Sequence, residues 1–196
     1  MICVPLGAVL VIAATSTRAR LAVAVYALSL MALFGVSALY HRIDWRSVAA
    51  RRWMRRLDHS MIFVLIAGTY TPFALLVLHG PLASAILIAV WAGALTGVLL
   101  SLVCADAPKW VHAIVYVTLG WIALTAMPQL AEALGIAGMT LLVLGGLLYT
   151  AGALIYALRR PDPVPAVFGY HEIFHALVIA AAALQYAVIA FWVLPG

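Results

Sequence analysis

Charge is what this sequence has least of. Eleven lysines and arginines and six acidic residues are spread over 196 positions, so only 9% of the chain is charged while 67% is hydrophobic. A mean hydropathy of +1.17 leaves too little polar surface for a water-soluble domain of this size, which excludes that class and points to an integral membrane protein. Cysteine is nearly absent: Cys3 and Cys104 are too few, and too far from the histidines, for a disulfide framework or a thiolate metal site. A cleavable signal peptide is not expected, because the chain opens in apolar sequence without a basic leader and continues into further spans. Internal repeats, low-complexity tracts and a second domain are lacking as well, so residues 1–196 read as a single transmembrane domain.

What is there is a series of long apolar runs. A bilayer-crossing helix takes about 20 apolar residues. Six segments meet that length, near 21–41, 57–78, 82–104, 110–127, 136–158 and 170–194. A seventh runs from Ile2 to about Ala14 before the break Thr15-Ser16-Thr17-Arg18. At 1.5 Å per residue it rises only ~20 Å against a hydrocarbon core of ~30 Å. The expectation is an all-α seven-helix bundle whose first helix is truncated or starts upstream of Met1.

The few charges are placed unevenly. Arg42, Arg46, Arg51, Arg52, Arg55, Arg56, Lys109, Arg159 and Arg160 fall in the loops after helices 2, 4 and 6, and only Arg18 and Arg20 on the other side. The positive-inside rule then puts the N-terminus in the cytoplasm and the C-terminus outside. The net charge of +5 is therefore a signal of topology and not of nucleic-acid binding. The arginine-rich loop 42–56 could also hold anionic headgroups, although orienting the helices accounts for it alone. Gly93-x-x-x-Gly97 and the glycines Gly145, Gly146 and Gly152 predict close helix approach. Pro72 predicts a kink in helix 3, and Pro161, Pro163 and Pro165 a stiff loop before helix 7.

Three polar clusters interrupt the apolar runs: Ser37-x-x-x-His41, Leu57-Asp58-His59-Ser60 and His171-Glu172-Ile173-Phe174-His175. Ionisable residues inside a membrane are costly and mark function by default. The inferred topology sets all three at the cytoplasmic ends of helices 2, 3 and 7. Residues four apart share a helix face, so His171 and His175 can bind one metal ion, with His41 as the third nitrogen ligand. Three protein ligands leave a fourth tetrahedral position for water, the arrangement of a catalytic zinc site. Asp58 and Ser37 are then the residues to hydrogen-bond that water or to fix a ligand. For any one histidine, capping a helix at a wet interface is the simpler reading; the set of three with Asp58 favours zinc. His59 points about 100° away from Asp58 around the helix, which suits a supporting role. His79 reads as a loop residue and His112 as interfacial.

These residues resemble the hemolysin III proteins, the bacterial branch of the progestin and adiponectin receptor superfamily. The matching stretches are Ser37-Ala-Leu-Tyr-His41-Arg42, Leu57-Asp58-His59 through Ala67-Gly68-Thr69-Tyr70-Thr71-Pro72-Phe73, and Tyr170-His171-Glu172-Ile173-Phe174-His175. The resemblance implies a seven-helix bundle with a cytoplasmic N-terminus, and zinc held by His41, His171 and His175 with Asp58 and Ser37 near the bound water. Related receptors and alkaline ceramidases are associated with hydrolysis of lipid amides, which implies a zinc-dependent lipid amide or ester hydrolase in the bacterial inner membrane, with membrane lipids as partners. His171-Glu172-x-x-His175 also matches the pattern in which a glutamate next to a ligand is the general base. Glu172 is thus the competitor to Asp58, although it lies off the metal-facing stripe. Two other readings stand beside the enzyme: a lipid-responsive sensor with a structural zinc, and a pore of the hemolysin kind. Against a pore, the polar groups gather at one end and no helix carries a polar stripe along its length.

Overall fold

The structure, a computed structural model, describes residues 3–103, 108–165 and 167–195. Cys104 and the first residue of the run begun at Ile2 lie outside the described residues. Within them the regular structure is helical, with an isolated bridge between Val164 and Phe168 as the sole extended pairing. The helices are α1 (Cys3–Ala13), α2 (Thr17–Arg42), α3 (Val48–Leu76), α4 (Gly80–Val103), α5 (Lys109–Gly120), α6 (Met127–Leu158) and α7 (Tyr170–Val188). A 3₁₀ stretch, Trp121–Ala126, joins α5 to α6, and a π turn, Ile189–Val193, continues α7.

Among the described residues, five stretches are long and apolar enough to cross a membrane: Thr17–Arg42, Val48–Leu76, Gly80–Val103, Lys109–Leu158 and Tyr170–Val193. α1 is apolar but shorter. Outward-facing Leu28, Ile88, Leu154 and Ile179 suit acyl chains, which solvate such side chains as well as a protein core does. The chain is an integral, multi-pass membrane protein.

Local sequence explains where the helices begin. Ser16, in the break read from the sequence, caps α2 by accepting the Ala19 N–H at 3.1 Å. Ser47 caps α3 at Ala50, so α3 starts nine residues before the expected 57 and takes in Arg51, Arg52, Arg55 and Arg56. Alanine and arginine are strong helix formers, and a capped run of them continues the span instead of looping. The segments expected at 110–127 and 136–158 are likewise joined: 3₁₀ and α turns fill the gap. The break is confined to Gly135, whose φ of 59° and ψ of −174° only glycine adopts without cost. Pro72 is accommodated inside α3, which runs on to Leu76.

The chain forms two compact units, Met1–Asp106 and Ala107–Gly196. In the first, α2 packs against α1 and α3, and α3 against α4. Gly97 on α4 receives the ring of Phe63 on α3, as the GxxxG pattern predicted, and a Cβ there would collide with it. In the second unit α6 packs on α5 and α7. There Gly145 admits the Gln185 amide, which donates to the Leu142 carbonyl at 3.2 Å, and Gly152 faces Phe174 and Leu177. Among the described residues, no side chain approaches Gly146.

Candidate functional site

The structure divides the candidate residues between the two units. The first holds Ser37 and His41 on α2 and Asp58 and His59 on α3; the second holds His171, Glu172 and His175 on α7.

In the first unit, α2 and α3 pack along one another and bring the Ser37 and Asp58 clusters together, which the inferred topology allowed. Asp58 is only 8% exposed. A carboxylate among apolar side chains persists only with hydrogen-bond and charge partners. Ser37 supplies the hydrogen bond, its hydroxyl donating to Asp58, and His41, one turn further along α2, lies within electrostatic reach. His41 is exposed and stacks edge-on against Tyr40, with ring centroids 4.7 Å apart. His59 is half-buried on the neighbouring position of α3.

In the second unit, the four-residue spacing of His171 and His175 does what helical geometry promises. Their Nε2 atoms stand 3.1 Å apart and their rings meet at 88°. Two nitrogens bonded to one tetrahedral zinc at 2.0–2.1 Å would be separated by about 3.3 Å, so the pair fits adjacent ligand positions. Phe174 and Tyr156 flank His171, at 6.1 and 6.3 Å between centroids.

Glu172 has a different occupation. Its carboxylate is exposed and accepts the Gly169 N–H at 2.9 Å, while Asp162 accepts the Tyr170 N–H at 3.0 Å. Gly169, at the cap, has no side chain, so these two carboxylates from the third helical position and the preceding loop satisfy two of the free N–H groups at the start of α7. The motif His-Glu-x-x-His therefore contains a capping glutamate.

His79 is exposed in the turn after α3, its Nδ1 3.1 Å from the Val77 carbonyl, in keeping with a loop residue. His112, near the start of α5, is buried at 5% exposure beside Tyr116. Sequence reasoning used Lys109 only as a topological charge and passed over Tyr156. Tyr156 lies beside His171, and the Lys109 ammonium donates to the Tyr170 hydroxyl at 2.7 Å and sits 4.5 Å from the Tyr156 ring centroid. The one available signal was a lysine directly after Pro108 at a helix start; nothing marked Tyr156, 47 positions away in sequence.

The chain is similar to known proteins over most of its length. A family model described as Haemolysin-III related matches residues 1–186. Hemolysin-3 of Bacillus cereus is 33% identical over 180 residues, covering 92% of this chain and 78% of that protein. The Hemolysin-3 homolog of Bacillus subtilis is 33% identical over 168 residues, 86% of this chain and 75% of that one. The human monocyte to macrophage differentiation factor is 29% identical over 83% of this chain and 66% of its own, and the Drosophila melanogaster adiponectin receptor protein 28% over 87% and 42%.

Proposed function

The chain belongs to the hemolysin III family of the progestin and adiponectin receptor superfamily, and from that premise we propose that it is a zinc-binding membrane hydrolase acting on an amide or ester bond of a lipid at the inner leaflet. His41, His171 and His175 would hold the ion. The observation that carries the reading is the pairing of the His171 and His175 Nε2 atoms at 3.1 Å, a spacing suited to shared ligation. The proposal includes seven spanning helices, the stretch Lys109–Leu158 crossing twice about Gly135, with a cytoplasmic N-terminus and an external C-terminus in a bacterial cell membrane.

Zinc, when bound, polarises a carbonyl and makes water acidic enough to attack near neutral pH. Asp58 is the base: it takes the proton as water oxygen bonds to the acyl carbon, and passes it to the departing nitrogen or oxygen. An amide plus water thus yields a carboxylic acid and an amine, an ester an acid and an alcohol. Ser37 is a positioning residue, since its hydroxyl is already given to Asp58. Glu172 is committed to the start of α7 and takes no part in the chemistry.

The test is zinc per chain in protein purified without added metal, beside His171→Ala/His175→Ala, followed by a lipid-amide assay. One ion in the wild type and none in the variant supports the site; no ion in either removes the chemical basis for the enzyme.

A second reading, a lipid-responsive regulator with a structural zinc, is favoured by the printed names of two relatives, a differentiation factor and a receptor. It requires Asp58→Ala to leave signalling output intact. The name Hemolysin-3 carried by the Bacillus cereus relative raises a pore; bilayer currents lost in the histidine variant would be needed to support it.

A further inference from the structure

Lys109 opens α5, yet its ammonium is gathered in among the elements that carry the histidine pair. It lies 4.5 Å from the Tyr156 ring centroid on α6 and 4.7 Å from that of Tyr170 on α7, and it donates to the Tyr170 hydroxyl at 2.7 Å. A lysine half-buried between two rings is stabilised by their π faces. Its three N–H donors are a different matter: one is used on Tyr170, and among the described residues no carboxylate engages the others. The acidic groups of the neighbouring turn are occupied elsewhere, Asp162 with the Tyr170 N–H and Glu172 with the Gly169 N–H.

The Tyr170 hydroxyl accepts from lysine and so keeps its own hydrogen to give. An ammonium and a phenol O–H, side by side and both donors, suit an anionic oxygen. Neutral or cationic groups would gain little from the pair, whereas a phosphate offers several acceptors at once. The place of this group is as telling as its chemistry. Tyr156 and Tyr170, the rings that flank the ammonium, also flank His171, at 6.3 and 6.2 Å between centroids.

We propose that Lys109 and Tyr170, with the ammonium steadied over Tyr156, form a phosphate-recognition site that anchors a phosphate-bearing ligand beside His171. A phospholipid headgroup and free phosphate share the required chemistry. The site needs no metal, so it stands or falls apart from the zinc reading.

The experiment is calorimetric titration of the metal-free full chain in detergent with dihexanoylphosphatidylglycerol, with inorganic phosphate, and with dihexanoylglycerol, which lacks the phosphate. Wild type binds at least one phosphate probe and not dihexanoylglycerol. Lys109→Gln weakens that binding by about tenfold or more, as loss of a charge-assisted hydrogen bond does, while Lys109→Arg stays within about threefold. Binding of the lipid alone identifies a headgroup as the source, and equal binding of inorganic phosphate identifies the free ion. His171→Ala/His175→Ala retains the affinity, which separates this site from metal ligation. Should Lys109→Gln fail to fold, Tyr170→Phe, which keeps the ring and removes the O–H, takes its place and also weakens binding. Wild type that binds neither probe, or glutamine and phenylalanine variants that bind as wild type does, overturns the proposal.

Discussion

Two carboxylates illustrate how little a residue's type says without its surroundings. Asp58 is buried and held by Ser37, an arrangement suited to moving a proton, whereas Glu172 is exposed and ties down a helix end. Asp58→Asn should therefore keep zinc and helical content and lower lipid-amide turnover roughly 100- to 10,000-fold, the usual contribution of a general base. Glu172→Gln should retain turnover and zinc and lose about 0.5 kcal/mol of stability from the weakened cap, read by thermal unfolding in detergent. A Glu172 variant that alone abolishes turnover while holding zinc would reverse these roles. The sequence favoured Asp58, with Glu172 as the runner-up because it lies off the metal-facing stripe; the Gly169–Glu172 hydrogen bond adds a physical reason, because a carboxylate engaged by backbone N–H groups is held away from other tasks.

Among the helices, contact depends on small residues. Lipid tails compete with side chains for apolar contact, so helices associate by close packing and a few hydrogen bonds. Gly68 under Ser29, Gly97 under Phe63 and Gly145 under Gln185 are tight places of this kind. Gly97→Leu should force Phe63 out of place and cost about 1–3 kcal/mol, seen as a lower melting temperature. Gly146→Leu, at a position no side chain approaches, should leave it nearly unchanged. Spacing alone made Gly145 and Gly146 equivalent; the rotation of α6 against α7 separates them. The arginine-rich segment before Asp58 shows the opposite case. Its caps and helix formers were all visible in the sequence, yet its charge led to a loop assignment, and α3 instead begins at Val48.

For the molecule as a whole, metal and topology give the decisive measurements. If zinc binds the folded state alone, free ion at ~100-fold over its Kd adds about 2.7 kcal/mol, so a chelator should lower the melting temperature of the wild type and not of His171→Ala/His175→Ala. In the proposed topology, a cysteine placed at the C-terminus should react with an impermeant thiol reagent in intact cells, and one near Asp44 should react only after lysis. The membrane class, most of the long helices and the family were legible in the sequence, because a bilayer demands runs of apolar residues and the three polar motifs stand out against them. The pairing of His171 with His175 was legible too, since a helix fixes what lies four residues on. What only tertiary structure decided were the Ser37–Asp58 hydrogen bond across α2 and α3, and the enclosure of Lys109 by Tyr156 and Tyr170. Those contacts join residues distant in the chain, and their distances depend on how helices rotate and slide against one another, which no periodicity records.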